Sequence, residues 1–138
     1  MNTMNTEDKK IPPLKKIILV DDEPDIRTVT KMALENMGNF TVQAYASGRE
    51  LIQQADSLSV DLILLDVMMP DMDGMSVLLN LQKNPHTARI PIIFMTASVS
   101  NRDIVKYKKT GALDVIAKPF DPMTLADTIK KIWVENYG

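Results

Sequence analysis

Five short apolar runs, at residues 16–20, 40–45, 61–65, 91–95 and 113–117, recur at even spacing along the chain. They are rich in Ile, Val and Leu and do not alternate strictly with polar residues, which fits strands buried on both faces. The stretches between them are long enough for a crossover helix. Five strand–helix units in succession predict an α/β fold: a doubly wound five-stranded parallel sheet with helices on both faces. Right-handed crossovers leave only a few topologies open.

The intervening segments carry helix signals. From Asp25 to Met37, Ile26, Val29, Ala33 and Met37 form one stripe at steps of three and four. Ser47-Gly48-Arg49-Glu50 has the form of a capping box and opens a helix carrying Leu51, Ile52, Ala55 and Leu58. Gly74 precedes a third helix with Met75, Leu78 and Leu81 inward, and Ser100-Asn101-Arg102-Asp103 reads as a fourth helix start. Asp121-Pro122 supplies an N-cap followed by proline at the first helical position, with Leu125, Ile129 and Ile132 turned to the core.

At 138 residues the chain is one domain's worth. Residues 1–14 are polar up to Ile11-Pro12-Pro13-Leu14 and read as a flexible leader; residues 15–138 read as a single domain. Sixteen Lys and Arg against 18 Asp and Glu give a net charge of −2, against the basic balance of a dedicated nucleic-acid binder. The absence of cysteine excludes disulfides, thiolate metal sites and cysteine nucleophiles. No apolar run approaches the ~20 residues of a membrane helix, and the amino terminus lacks a secretory signal. A cytoplasmic location with no membrane contact is expected.

In a doubly wound sheet the site lies beyond the carboxyl ends of the strands, where the winding direction switches. Strand one runs into Asp21-Asp22-Glu23, strand three into Asp66, strand four into Thr96-Ala97-Ser98 and strand five into Lys118-Pro119. If strands one and three are neighbours, Asp21, Asp22 and Asp66 converge. Three like charges so close raise one another's pKa, and a hard divalent cation relieves the repulsion; an all-oxygen set suits Mg²⁺. Lys118 offers a point charge for phosphate oxygens, Thr96 a hydroxyl donor, and the loops after strands three and four further N–H groups. Together with Asp66 as nucleophile, these parts suffice for phosphoryl transfer, which is largely positioning and charge neutralisation.

Four pieces in order resemble the receiver domain of two-component response regulators over about 15–135: Asp21-Asp22-Glu23-Pro24 after an apolar strand, Leu-Leu-Asp66-Val-Met-Met-Pro70-Asp-Met-Asp-Gly74, Met-Thr96-Ala97, and Lys118-Pro119-Phe120. The resemblance implies a flavodoxin-like strand order of 2-1-3-4-5. It implies that Asp66 accepts a phosphoryl group from a sensor histidine kinase or a histidine phosphotransfer protein. Asp22 would then bind Mg²⁺ directly, Asp21 mainly through water, and Met68 through its backbone carbonyl. Thr96, the Ala97 backbone N–H and Lys118 would meet the phosphoryl group, and the Lys118–Pro119 peptide would be cis. A downstream protein would read the face formed by helix four, strand five and helix five.

One position departs from the family pattern: Val115 stands where many receivers carry Tyr or Phe as a rotamer switch. The output surface is therefore expected to depend less on a ring motion. Met68 and Ser98, at positions that help set phosphoryl lifetime in the family, are not water-orienting acids or amides, so slow to intermediate self-dephosphorylation is expected. The chain reads as a signalling module rather than an enzyme.

Two other readings fit less well. A phosphatase forming an aspartyl-phosphate would need a carboxylate two residues after the nucleophile, where Met68 stands. A nucleotide or flavin domain would need a Gly-rich turn where Asp-Asp-Glu-Pro stands. Asp71-Met72-Asp73-Gly74 lacks the further acids of a calcium loop and reads as a turn. His86 reads as a surface residue, and the basic surplus of Arg102, Lys106, Lys108 and Lys109 over Asp103 as a solvated or partner-facing helix face.

Overall fold

A computed structural model describes residues 11–138. The elements are β1 (Lys16–Val20), α1 (Pro24–Gly38), β2 (Thr41–Tyr45), α2 (Gly48–Gln53), a 3₁₀ turn (Ala55–Ser57), β3 (Leu62–Asp66), α3 (Gly74–Lys83), β4 (Ile92–Thr96), α4 (Asn101–Thr110), β5 (Asp114–Ala117) and α5 (Pro122–Tyr137). All strand pairs are parallel, in the order β2-β1-β3-β4-β5. The expected fold class and strand order are therefore observed.

The period of two along each strand divides the core. Ile18, Val20, Ile63, Leu65 and Phe94 face α2, α3 and α4, where they meet Leu51, Val77, Leu78, Leu81 and Tyr107. Phe94 and Tyr107 pack edge to face at 5.4 Å. Ile17, Leu19, Leu62, Leu64, Ile93 and Met95 face α1 and α5, where they meet Leu34, Leu125, Ala126, Ile129 and Trp133. β3, the central strand, and β4 beside it are buried at every position.

Capping follows the sequence closely. Ser47 Oγ accepts from Glu50 N, Asp73 Oδ1 from Ser76 N, Ser100 Oγ from Asp103 N and Asp121 Oδ1 from Met123 N. The return arm of the Ser47 box goes to Ala46 N at 3.4 Å. Gly74 is the first residue of α3, with Asp73 as its cap. The second helix ends at Gln53, and a 3₁₀ turn carries Ala55 into the core.

The stripe expected on α1 is corrected. Its buried positions are Thr30, Leu34 and Gly38, whereas Val29 and Met37 are half-exposed. Gly38 is buried because the helix passes too close to its neighbours for a side chain: a Cβ there would lie 2.5 Å from the Phe40 ring and 3.1 Å from Ala126 Cβ.

Residues 1–10 of the expected leader lie outside the described residues. Ile11 and Leu14 pack against the core face that includes α5, and Trp133 Nε1 donates to the Pro12 carbonyl at 2.8 Å. No helix among the described residues is long and apolar enough to cross a membrane.

Candidate functional site

The register brings the strand ends together. Val20 pairs with Leu65, Asp66 with Met95 and Thr96 with Ala117, so the residues at the ends of β1, β3, β4 and β5 share one rim. Carboxylate oxygens of Asp21, Asp22 and Asp66 lie within 4.8 Å of one another. A cleft of about 330 Å³ opens onto Asp66 and Lys118 between Glu23, Ile26, Met68, Ala97 and Pro119.

Asp66 is nearly fully buried. Its Oδ1 accepts from the Met68 amide at 3.2 Å and its Oδ2 lies 3.3 Å from Lys118 Nζ. Burial raises its pKa from 3.8 to about 6; Asp21 adds to the rise, while Lys118 and the Met68 amide oppose it. Asp21, wholly buried, accepts from Glu23 N at 2.9 Å through Oδ1 and from Lys118 Nζ at 3.2 Å through Oδ2. Both of its oxygens are engaged, while Asp22 beside it is half-buried.

Lys118 Nζ bridges Asp21 and Asp66 and lies 3.6 Å from Glu23 Oε1. Burial alone would lower its pKa, but the charges of Asp66 and Asp21, with hydrogen bonds to both, raise it overall. Its backbone is fixed as well: Lys118 N donates to the Thr96 carbonyl at 2.9 Å, and the Lys118–Pro119 peptide is cis.

Thr96 is buried, and its Oγ1 accepts from Ser98 N at 3.1 Å, which leaves the hydroxyl proton for another acceptor. Ser98 Oγ in turn bonds Asp103 on the first turn of α4. Ala97 is exposed on the cleft wall, and Met68 is 72% exposed at its rim. Val115 is partly buried against the core that holds Phe94 and Tyr107.

Gly74 packs directly against the end of β3. Its amide donates to the Val67 carbonyl at 2.9 Å, and a Cβ would lie 2.7 Å from the Asp66 carbonyl and 2.9 Å from Val67 Cα. Both neighbours are backbone and cannot swing aside. Gly74→Ala is expected to destabilise the fold by about 2 kcal/mol, read by urea unfolding; a wild-type midpoint would show that the turn relaxes freely.

Other candidates lie elsewhere. His86 Nε2 contacts the Leu58 carbonyl at 2.8 Å, Asp73 caps α3, and Asp71 pairs with Arg49 at the surface. On α4, Arg102 and Lys106 are exposed and Lys108 lies 3.7 Å from Asp114. One contributor was not legible in the sequence as part of the site: Arg27, whose Nη1 donates to the Asp21 carbonyl at 2.8 Å; Glu23, already in the rim motif, reaches the site through Lys118.

A family model for the response regulator receiver domain matches residues 17–130. The chain belongs to the response regulator receiver family. This receiver domain is 34% identical over 116 residues to the regulatory protein VanRc of Enterococcus gallinarum, covering 84% of the chain and 48% of that protein. It is 36% identical over 118 residues to the alkaline phosphatase synthesis transcriptional regulatory protein PhoP of Bacillus subtilis, covering 86% and 48%. The chain thus spans about half the length of these curated relatives. Among solved structures, the chemotaxis response regulator CheY4 of Vibrio cholerae aligns with a TM-score of 0.79 at 30% identity, over 87% of this chain and 99% of that one. A CheY-like receiver domain protein of Methanospirillum hungatei aligns with a TM-score of 0.75 at 31% identity, over 89% and 96%. A receiver domain is the phospho-acceptor module of a two-component system, and the relatives are regulators.

Proposed function

We propose that Asp66 is the phospho-acceptor of this receiver domain. The observation that carries the reading is the convergence of Asp21, Asp22 and Asp66 beneath a cleft, with Lys118 reaching across to two of them. An Asp66 carboxylate oxygen attacks phosphorus as the P–N bond of a donor phosphohistidine breaks and the imidazole leaves. Lys118 meets the incoming negative charge. Thr96 offers its free hydroxyl proton and the exposed Ala97 amide a further donor.

The donor set fits Mg²⁺: all oxygen, with one half-buried and two buried carboxylates. Asp22 and Asp66 would hold the ion with the Met68 carbonyl, and Asp21 would act mainly through water, as the family resemblance implies. When bound, Mg²⁺ neutralises charge on the transferring group.

The phosphoryl donor is a sensor histidine kinase or a histidine phosphotransfer protein in the cytoplasm. Its docking face includes the apolar stripe that α1 leaves uncovered, with Val29, Met32 and Met37 each at least 40% exposed. Val29 and Ile26 also line a groove that ends at Lys118 beside the acceptor. Output leaves through α4, β5 and α5. The module is not a turnover enzyme: Met68 stands where a phosphatase of this chemistry would need its acid, so the phosphoryl group is shed slowly.

Incubation with acetyl phosphate and Mg²⁺ followed by mass spectrometry tests the reading. One hydroxylamine-labile phosphoryl group on the peptide containing Asp66 is expected. Unmodified protein, or a modified serine or threonine, would overturn it.

A further inference from the structure

We propose that Arg27 is a positioning residue for the acidic pocket: its bond to the Asp21 carbonyl fixes the turn that presents Asp22 to a divalent cation. The inference rests on the reading of that pocket as a Mg²⁺ site.

Arg27 lies at the end of the first turn of α1, where the helix dipole disfavours a positive charge. Its role therefore lies outside the helix. The side chain is half-buried and runs back past the helix start, and Nη1 donates to the Asp21 carbonyl at 2.8 Å. Its partner is a backbone oxygen rather than a carboxylate.

That oxygen belongs to the peptide joining Asp21 to Asp22. A peptide is planar, so a donor that fixes its carbonyl also fixes the direction in which the chain enters Asp22. Neighbouring groups of the turn are held as well. Asp21 N donates to the Tyr45 carbonyl at 3.2 Å, Asp21 Oδ1 accepts from Glu23 N, and Arg27 N donates to the Glu23 carbonyl at 2.9 Å. The Glu23 side chain makes no cap of its own. Arg27 thus ties the loop at both its backbone and its side chain, and the side chain holds the Asp21–Asp22 peptide by its carbonyl.

Groups that orient metal ligands from behind typically cost 10–100-fold in affinity when removed. Calorimetric titration of the full chain with Mg²⁺ tests the role, with urea unfolding as the control for folding. Arg27→Met, which keeps the stem and removes the donors, is expected to weaken Mg²⁺ binding about 10-fold. Its rate of phosphorylation by acetyl phosphate should return to the wild-type value at saturating Mg²⁺. Arg27→Lys, which keeps a charged donor, should restore the affinity to within about threefold. Arg27→Ala repeats the truncation should methionine not be accommodated. A truncation that lowers stability yet binds Mg²⁺ as the wild type does would overturn the inference and leave the pocket reading intact. A wild-type chain that takes up no Mg²⁺ would overturn the pocket reading, and this inference with it.

Discussion

Asp66→Asn is expected to abolish phosphoryl acceptance and, at the same time, to make the metal-free protein more stable at pH 7. The first effect is chemical: an amide has no carboxylate oxygen to form the acyl phosphate, so the mass gain with acetyl phosphate and Mg²⁺ should vanish. The second follows from linkage. Burial lifts the Asp66 pKa in the fold from 3.8 to about 6, so the folded chain holds this proton more tightly than the unfolded one. The stability tied to the neutral carboxyl is full below about pH 4 and is lost as pH rises through about 6. At pH 7 the ionised group opposes folding by at most about 3 kcal/mol. Asparagine keeps the shape without the charge but gives up the attraction of Lys118. A net gain of about 1 kcal/mol is expected at pH 7 by urea unfolding, shrinking toward pH 4.5. A variant less stable than wild type at pH 7 would mean that the ion pair outweighs the burial.

Lys118→Met should act in the opposite direction. Lys118 is the cation that bridges Asp21 and Asp66, and its side chain is only 15% exposed. Removing one partner of a buried pair leaves uncompensated charge, at a cost of about 3 kcal/mol. Its pKa is raised in the fold, so its stabilising contribution is present across the neutral range and is lost only as pH rises through that raised value. Without it, Asp66 loses the attraction that opposes its upward shift and takes up a proton more readily. The penalty should therefore be larger at pH 7.5 than at pH 5. Adding Asp66→Asn to Lys118→Met should recover part of the loss, and the double-mutant cycle gives the coupling. Equal penalties at both pH values would mean that Lys118 acts through packing alone.

The strands and the rim residues were legible because they are coded locally. Buried parallel strands need unbroken apolar runs, and polar residues directly after such runs stand out. The buried face of α1 was not. Its true stripe, Thr30, Leu34 and Gly38, contains one apolar side chain, while the half-buried Ile26 and Ala33 and the half-exposed Val29 and Met37 repeat at steps of three and four. Periodicity selects the more apolar of two overlapping stripes. Here the closest packing is made by a glycine, and the apolar surplus is left for another surface. Arg27 was hidden for a different reason: its contact runs from a helix to the backbone of the preceding loop, and only the three-dimensional turn between β1 and α1 brings the two together.

Trp133 is the only tryptophan in the chain. Its indole is tied to Pro12, ahead of β1, and packs at a tilt against Tyr137 with ring centres 4.5 Å apart, at the edge where the strands begin rather than the rim where they end. The natural fluorophore of the molecule therefore watches the wrong pole. Emission will follow the release of the segment before β1 and the melting of the last helix, and will stay silent while the acids at the far edge are loaded and emptied.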